Sequence, residues 1–297
     1  MLLNAVASVK LDLDETEFFS KYISSASRLD CLLSIFIRNI KDFRSRGIYS
    51  LKVSIVTATW NSAKTIRDSI ESVVSQDYGD IEHIIVDGES SDNTLDIVGL
   101  SGIKNTKVIS ERDNGIYDAL NKGIDLATGD IIAFLHSDDT FAKSTTISSI
   151  VTHFRREQCD AVYGDLDYVA KDDCSKVIRR WESRKYERFL LKRGWMPPHP
   201  AFFMKKSAYT KLGNFDTTYQ ISSDYDALLR YLLSEQITTF YLPEVVSKMR
   251  VGGVSNRSLA TVLLKMSEDY RIMKRHGLPP LYCLLAKNIS KIKQFFN

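Results

Sequence analysis

Gly129-Asp130-Ile131-Ile132-Ala133-Phe134-Leu135-His136-Ser137-Asp138-Asp139-Thr140 is the stretch that decides the architecture of this chain. Ile131 to Leu135 is an uninterrupted apolar run bounded by turn residues, the pattern of a strand buried on both faces of a parallel α/β sheet. It breaks off in two adjacent carboxylates, Asp138 and Asp139. Acids at the carboxyl end of a buried strand stand where open α/β sheets hold ligands, and their hard oxygens suit Mg²⁺ or Mn²⁺ held together with a substrate diphosphate. An Asp-Asp pair by itself would as readily be a solvated loop, so the flanking sequence has to decide.

Upstream, Ile116, Ala119, Leu120, Ile124 and Ala127 fall on one helical face that Thr128-Gly129 closes. Earlier still, Val53–Thr57 reads as a strand, Ile66, Ile70, Val73 and Val74 as a helix, Ile81–Val86 as a second strand ending at Asp87, and Lys107–Ser110 as a short third strand. Strands alternating with helices of this length form right-handed crossover units. The fold class is therefore α/β, with a Rossmann-like, mostly parallel sheet covered by helices on both faces. Downstream, Ile147, Ile150, Val151 and Phe154 mark a helix and Asp160–Asp165 a strand. Residues 166–203 are mixed in pattern, basic and aromatic, and suited to shaping a substrate cleft. A helix over Ser223–Leu233 follows, then two short strands near Ile237–Tyr241 and Val245–Arg250, then two terminal helices joined at Gly277-Leu278-Pro279-Pro280.

Forty Lys and Arg against 37 Asp and Glu leave a net charge of +3, which gives no general argument for nucleic-acid binding. Cys31, Cys159, Cys174 and Cys283 lack metal-ligand spacing and read as free thiols of a cytoplasmic protein. No apolar stretch approaches the ~20 residues that cross a bilayer, and the start of the chain does not read as a secretion signal. Phe19, Tyr22, Ala26, Leu29, Leu33, Phe36, Ile40 and Phe43 give residues 1–48 a helical stripe, expected to pack on the domain or to mediate a homodimer. Residues 258–297 carry seven Lys or Arg against two acids, and Leu281, Leu284, Leu285, Ile292 and Phe296 pattern a basic amphipathic helix for peripheral contact with the inner face of the membrane. The expected organisation is thus an N-terminal helical extension (1–48), a catalytic domain (49–255) and a C-terminal helical segment (256–297).

Taken together, Val53-Ser54-Ile55-Val56-Thr57-Ala58-Thr59-Trp60-Asn61, the Asp87 turn, Ala119-Leu120-Asn121-Lys122-Gly123, Ala127-Thr128-Gly129-Asp130, Ser137-Asp138-Asp139 and Ser223-Asp224-Tyr225-Asp226 resemble, in this order, the inverting family 2 glycosyltransferases, which have a GT-A fold. The version here looks most like bacterial enzymes that build surface polysaccharide such as O-antigen, the outer part of lipopolysaccharide, or capsule. The resemblance implies a nucleotide-diphospho-sugar donor, expected to be a UDP-sugar, an Mn²⁺ or Mg²⁺ cofactor, and transfer of a single sugar to a growing, lipid-linked glycan. It implies that Thr57, Trp60, Asp87 and Asp138 contact the nucleotide, that Asp139 ligates the metal and that Asp224 is the general base. Physical chemistry agrees: a base needs a stacking surface and a hydrogen-bond acceptor, which Trp60 and Asp87 can offer, and inverting transfer needs one carboxylate to take the acceptor's proton.

His199, in the turn Pro197-Pro198-His199-Pro200, is a candidate contact to diphosphate or acceptor, and Arg250 with Gly252-Gly253-Val254-Ser255 resembles a segment that closes over the donor. The chain departs from the family pattern at Gly88, Leu120 and Ser137, where many members have an acid, an Arg and an Asp. His136 also stands where Asp or Asn is common. The alternatives are a nucleotidyltransferase, which would need a Gly-rich phosphate loop that does not follow Val53–Thr57, and a noncatalytic nucleotide-sugar-binding subunit, which would not need both Asp139 and Asp224.

Overall fold

The computed structural model describes residues 50–100, 105–252 and 258–293, with the side chains of the last helix described to Lys287. The N-terminal extension and the segment Gly253-Val254-Ser255 lie outside the described residues.

The first buried strand, β1 (Val53–Thr59), is apolar toward both faces and has a parallel partner on each side: β2 (Ile81–Asp87) and β4 (Ile131–Phe134). β3 (Thr106–Ser110) extends the parallel set beyond β2. Helices α1 (Ile66–Val74), α2 (Thr94–Leu100) and α3 (Ile116–Leu126) make the crossovers. After β4 follow β5 (Thr140–Phe141), α4 (Thr146–Glu157), β6 (Ala161–Ala170), β7 (Asp173–Trp181), the short α5 (Arg188–Leu191), a 3₁₀ turn (His199–Ala201), β8 (Phe202–Lys205), α6 (Lys206–Leu212), α7 (Ser223–Leu233), β9 (Thr239–Arg250), α8 (Leu259–Arg275) and α9 (Pro280–Lys293). The strands lie in the order β3-β2-β1-β4-β8-β6-β9-β5, with β7 added to β6. The sheet is parallel through its first four strands and mixed beyond β4, because β8 runs antiparallel to both β4 and β6. Ile55, Ala133, Val162 and Phe203 face Ile150 and Phe154, while Val56, Phe134, Tyr163 and Phe202 face Leu120, Leu228 and Ile272. This two-sided apolar demand is why Ile131–Leu135 reads as a continuous run rather than an alternation.

Two expectations are corrected. The strands expected near 237–241 and 245–250 are one strand, β9, whose register against β6 skips between Tyr163↔Tyr241 and Asp165↔Val245. The skip is a bulge around Pro243, which has no N–H for the ladder, and it presses so close that a Cβ on Gly164 would stand 2.7 Å from the Glu244 carbonyl oxygen. Residues 166–181, part of the stretch read as mixed in pattern, complete β6 and form β7, a hairpin whose outer strand has no buried residue.

The amino ends of the parallel strands are tied by one buried carboxylate, Glu82 of β2. It accepts hydrogen bonds from Ser54 Oγ at 2.6 Å, from the backbone and hydroxyl of Thr128 and from Gly129 N at 3.2 Å, and it pairs with Lys52 and Lys107. Gly129 must be Gly here, since a Cβ would lie 2.5 Å from Ser54 Oγ. Burial pushes the Glu82 pKa up, but the donors from Ser54, Thr128 and Lys107 outweigh it and hold the group below its ordinary value of 4.5. A carboxylate depressed in this way stabilises the fold above its unfolded pKa and loses that contribution as pH falls. Glu82→Gln should therefore cost about 2–3 kcal/mol at neutral pH and give a flatter acid limb in melting temperature against pH, measured by calorimetry from about pH 6 to 2.

Candidate active site

The acidic turn after β4 is folded against the end of β9. The Asp139 N–H donates to the His136 carbonyl at 3.0 Å, and Asp139 Oδ1 accepts from Arg250 N at 3.3 Å. Asp139 is 1% exposed, and its Oδ2 is buried without a hydrogen-bond partner. Burial, and then the neighbouring charge of Asp138, push its pKa well above the usual carboxylate range. Such a group calls for a cation to stabilise its ionised form. The Arg250 guanidinium lies close by but is committed elsewhere: Nη1 donates to the Asp138 carbonyl at 2.7 Å, Nε to the Lys171 carbonyl at 3.0 Å, and Nη2 to the Asp68 carboxylate of α1. Arg250 thus clamps the turn's backbone and leaves Asp139 Oδ2 open. Among the described residues no group of three or more His, Cys, Asp or Glu is spaced to hold a metal by itself. A free buried carboxylate oxygen fits a hard divalent ion that takes its remaining ligands from diphosphate and water, the usual arrangement for Mg²⁺.

Across the site, Asp224 occupies the first turn of α7, where the helix dipole favours a carboxylate. Its Oδ1 accepts from Tyr225 N at 2.8 Å and lies 3.2 Å from the Tyr117 hydroxyl of α3, which is also 2.7 Å from the Ile221 carbonyl. Burial and the Asp224 charge keep Tyr117 a phenol, and hence a donor. His199 and His136 complete this side, with ring centroids 6.2 Å apart. His199 is stacked on Phe134 and meets the edge of Phe215, its Nε2 without a partner. Burial pushes its pKa down to about 4 against the opposing pull of Asp224, so at neutral pH it is an uncharged imidazole. Burial lowers His136 likewise, and both Asp138 and Asp224 act against that shift, so His136 lies within both carboxylates' fields. Asp226 is turned away: its buried carboxylate meets His276 at 2.9 Å and Arg230 at 3.4 Å.

Trp60, directly after β1, is 65% exposed and offers a bare ring face. Its loop is joined to the acidic turn by Ser62 Oγ and Ser137 Oγ, 2.8 Å apart. Of the other residues expected at the nucleotide, Asp138 is half-buried in the acidic turn, while Thr57 and Asp87 are wholly buried. Thr57 is wholly buried, with Oγ1 2.9 Å from His83 Nε2 on β2. Asp87 is wholly buried, and its carboxylate accepts from Ser90 N at 3.0 Å, from the Ser90 hydroxyl and from Ser110 Oγ at 2.7 Å. Asp113 and Trp60 stand on either side of Gly88: a Cβ there would meet Asp113 Oδ2 at 2.6 Å and Trp60 Cδ1 at 3.5 Å. The sequence reading passed over Asp113, Tyr117 and the Arg250 clamp. Asp113-Asn114-Gly115 has the look of an ordinary turn, and nothing local announces a partner 100 residues away. Leu120-Asn121-Lys122-Gly123 proves to be framework: Asn121 exchanges side-chain hydrogen bonds with the backbone of Phe215, and Gly123 lets α3 lie on Val56.

Against known proteins, the sequence profile described as "Glycosyl transferase family 2" matches residues 54–213. A "PGL/p-HBAD biosynthesis glycosyltransferase" of Mycobacterium bovis is 31% identical over 222 residues, 71% of this chain and 82% of that protein. An uncharacterized glycosyltransferase of Mycobacterium tuberculosis is 32% identical over 192 residues, 63% of this chain and 71% of that one. Among solved structures, S. aureus TarS 1-349 in complex with UDP-GlcNAc has a TM-score of 0.59 at 17% identity and covers 76% of this chain, which spans 65% of that one, less than two thirds of its length. The mannosyltransferase PcManGT from Pyrobaculum calidifontis in complex with GDP-Man and Mn²⁺ has a TM-score of 0.57 at 19% identity over 80% of this chain and 69% of that one.

The clamp generates a direct test. Arg250→Met should leave the Asp138 and Lys171 carbonyls and the Asp68 carboxylate without their shared donor, lowering stability by about 2–4 kcal/mol in urea titration. It should also weaken binding of UDP with Mn²⁺ in calorimetry, because the turn that presents Asp139 is no longer held. Unchanged values for both quantities would contradict the clamp.

Proposed function

The chain belongs to glycosyl transferase family 2 and has the GT-A fold, and from that premise we propose that it is an inverting, divalent-metal-dependent enzyme. In this reading it moves one sugar from a UDP-sugar to a hydroxyl of a lipid-linked bacterial glycan of the O-antigen or capsule kind. The observation that carries the reading is a buried carboxylate with an unpartnered oxygen, Asp139, together with a second carboxylate, Asp224, that meets a phenol and acts on His136 of the same acidic turn. The first is suited to a metal and the second to a proton. A UDP-sugar donor is further supported by the UDP-GlcNAc complex of the TarS neighbour.

In this mechanism Asp224 takes the proton of the acceptor hydroxyl as that oxygen bonds to the anomeric carbon, and the carbon–oxygen bond to the diphosphate breaks on the opposite face. Asp139, with Asp138 beside it, would hold the Mn²⁺ or Mg²⁺, which when bound neutralises charge gathering on the departing diphosphate. Trp60 stacks on the base. Thr57 and Asp87 support it from beneath, Thr57 through His83 and Asp87 through Ser90 and Ser110, and Asp113, beside Gly88 and Trp60, is a further acid near the base. The uncharged His199 is placed to donate to, or accept from, diphosphate or acceptor.

A lipid-linked acceptor agrees with the outer face of the C-terminal hairpin. Leu259, Leu263, Met266 and Tyr270 form an exposed apolar stripe on α8, Leu281 and Leu285 are exposed on α9, and the only acids of α8, Glu268 and Asp269, are buried. What faces outward beside the stripe is basic or neutral, suiting an anionic bilayer. No helix among the described residues is long and apolar enough to cross a membrane. Replacing Leu263 and Met266 together by Glu should reduce co-sedimentation with phosphatidylglycerol vesicles while leaving the melting temperature near that of the parent. Undiminished co-sedimentation would remove the membrane contact from the reading.

The decisive experiment follows nucleoside diphosphate release from UDP-glucose, UDP-galactose, UDP-N-acetylglucosamine and GDP-mannose, with Mn²⁺ or with EDTA. Asp139→Ala should abolish both metal-supported UDP binding and turnover. Asp224→Asn should keep UDP binding but lose roughly 10²-fold or more in turnover, since an amide preserves the first helical turn and cannot accept the proton. Near-normal turnover by Asp224→Asn would refute its role as base.

A further inference from the structure

Beyond the reaction itself, and resting on the reading of Asp224 as its base, we propose that Glu268 of α8 is a positioning residue for that base. Its carboxylate fixes the three-residue backbone segment from which α7 and Asp224 begin. Glu268 is 1% exposed. One oxygen accepts from Gln220 N at 2.8 Å, and the other accepts from Ile221 N at 3.0 Å and Ser222 N at 2.9 Å. These are three consecutive amides of the chain that leads into α7, whose own turns begin only at Ser223. A segment ahead of a helix has no helical carbonyls to accept its N–H groups, so an outside acceptor decides where it lies. Charge-assisted bonds from three amides to one carboxylate make that acceptor a strong one.

The same segment is gripped from the opposite direction by Tyr117, whose hydroxyl meets the Ile221 carbonyl and the Asp224 carboxylate together. The N–H side of Ile221 is thus set by α8, and its carbonyl side by α3. The residue after Glu268 extends the grip past the base. Asp269 is paired at 2.8 Å with the buried Lys287 of α9, and that ammonium sits 4.0 Å from the ring centre of Tyr225, the neighbour of Asp224. Two adjacent acids on one helix therefore locate the backbone before the base and the ring after it. General-base catalysis depends on placing the carboxylate within hydrogen-bond reach of one hydroxyl, and displacement by about 1 Å can cost on the order of 10²-fold in rate. None of these contacts involves Trp60 or the acidic turn, where nucleotide and metal would be held.

The test compares Glu268→Gln, Asp224→Asn and their double variant in the full chain. UDP binding with Mn²⁺ is measured by calorimetry, and turnover is measured on whichever donor of the four releases diphosphate fastest. The Gln amide keeps the size of Glu but turns one acceptor into a donor aimed at the backbone N–H groups. Turnover of Glu268→Gln should fall roughly tenfold or more, with UDP affinity and donor KM changed less than about threefold. The double variant should be no slower than Asp224→Asn alone within about twofold, because a residue that acts through the base loses its effect once the base is gone. Parallel loss of UDP affinity and turnover, or losses that multiply in the double variant, would overturn the positioning role and leave Glu268 as a general strut. Near-normal turnover by Asp224→Asn would overturn the underlying assignment of the base, and that result is read without any Glu268 variant. If Glu268→Gln does not yield folded protein, Glu268→Asp, which keeps the charge on a shorter arm, is judged by the same criteria.

Discussion

A carboxylate enclosed by protein, next to a second carboxylate and with one oxygen lacking any donor, is costly to ionise. Asp139 is held in that state because the surrounding turn is over-determined: its own amide closes on His136, Arg250 grips the carbonyl of Asp138, and Ser62 meets Ser137. The arrangement depends on the sheet beneath it, since β1 and β4 must end at fixed heights for the turn to meet β9, and Glu82 ties the opposite ends of the same strands. The stability of the strands and the reactivity of the turn are thus two ends of one lever.

Much of this was legible before any coordinates. The run Ile131–Leu135 is apolar because both faces of β4 are covered, and periodicity alone located α3 and α7. Asp139 and Asp224 stand out because the motifs around them are local. Contacts carried by long-range packing were not legible. Arg250 reads as the tail of a strand, yet its guanidinium joins three separate segments. Asp87 reads as an open acid, yet Ser90 and Ser110 occupy it. The register skip at Pro243 depends on how near β9 approaches Gly164, and a one-dimensional pattern carries no information about that distance.

The two carboxylates suited to chemistry are supported by different kinds of partner. Asp139 is bounded by backbone and by an arginine engaged elsewhere, which leaves it eager for a cation. Asp224 accepts from the Tyr225 amide and lies against the Tyr117 hydroxyl, with the imidazoles of His136 and His199 close by. Two aspartates of one site thus differ by environment rather than by residue type, one with an unpartnered buried oxygen and one tied to donors.

The family profile ends at residue 213, ahead of α7, while the carboxylate that anchors α7 comes from α8. The contacts around Asp224 therefore come from both sides of that boundary, Tyr117 from within the matched stretch and Glu268 from beyond it. A recombination that traded only the recognisable piece between two such enzymes would carry over Trp60, the acidic turn and Tyr117 while leaving behind α7, Glu268 and the buried Lys287 that packs on Tyr225. The natural unit of inheritance for this site runs from β1 to the end of the terminal hairpin, and chimeras joined at the helix boundary before Ser223 would combine halves that never adjusted to each other.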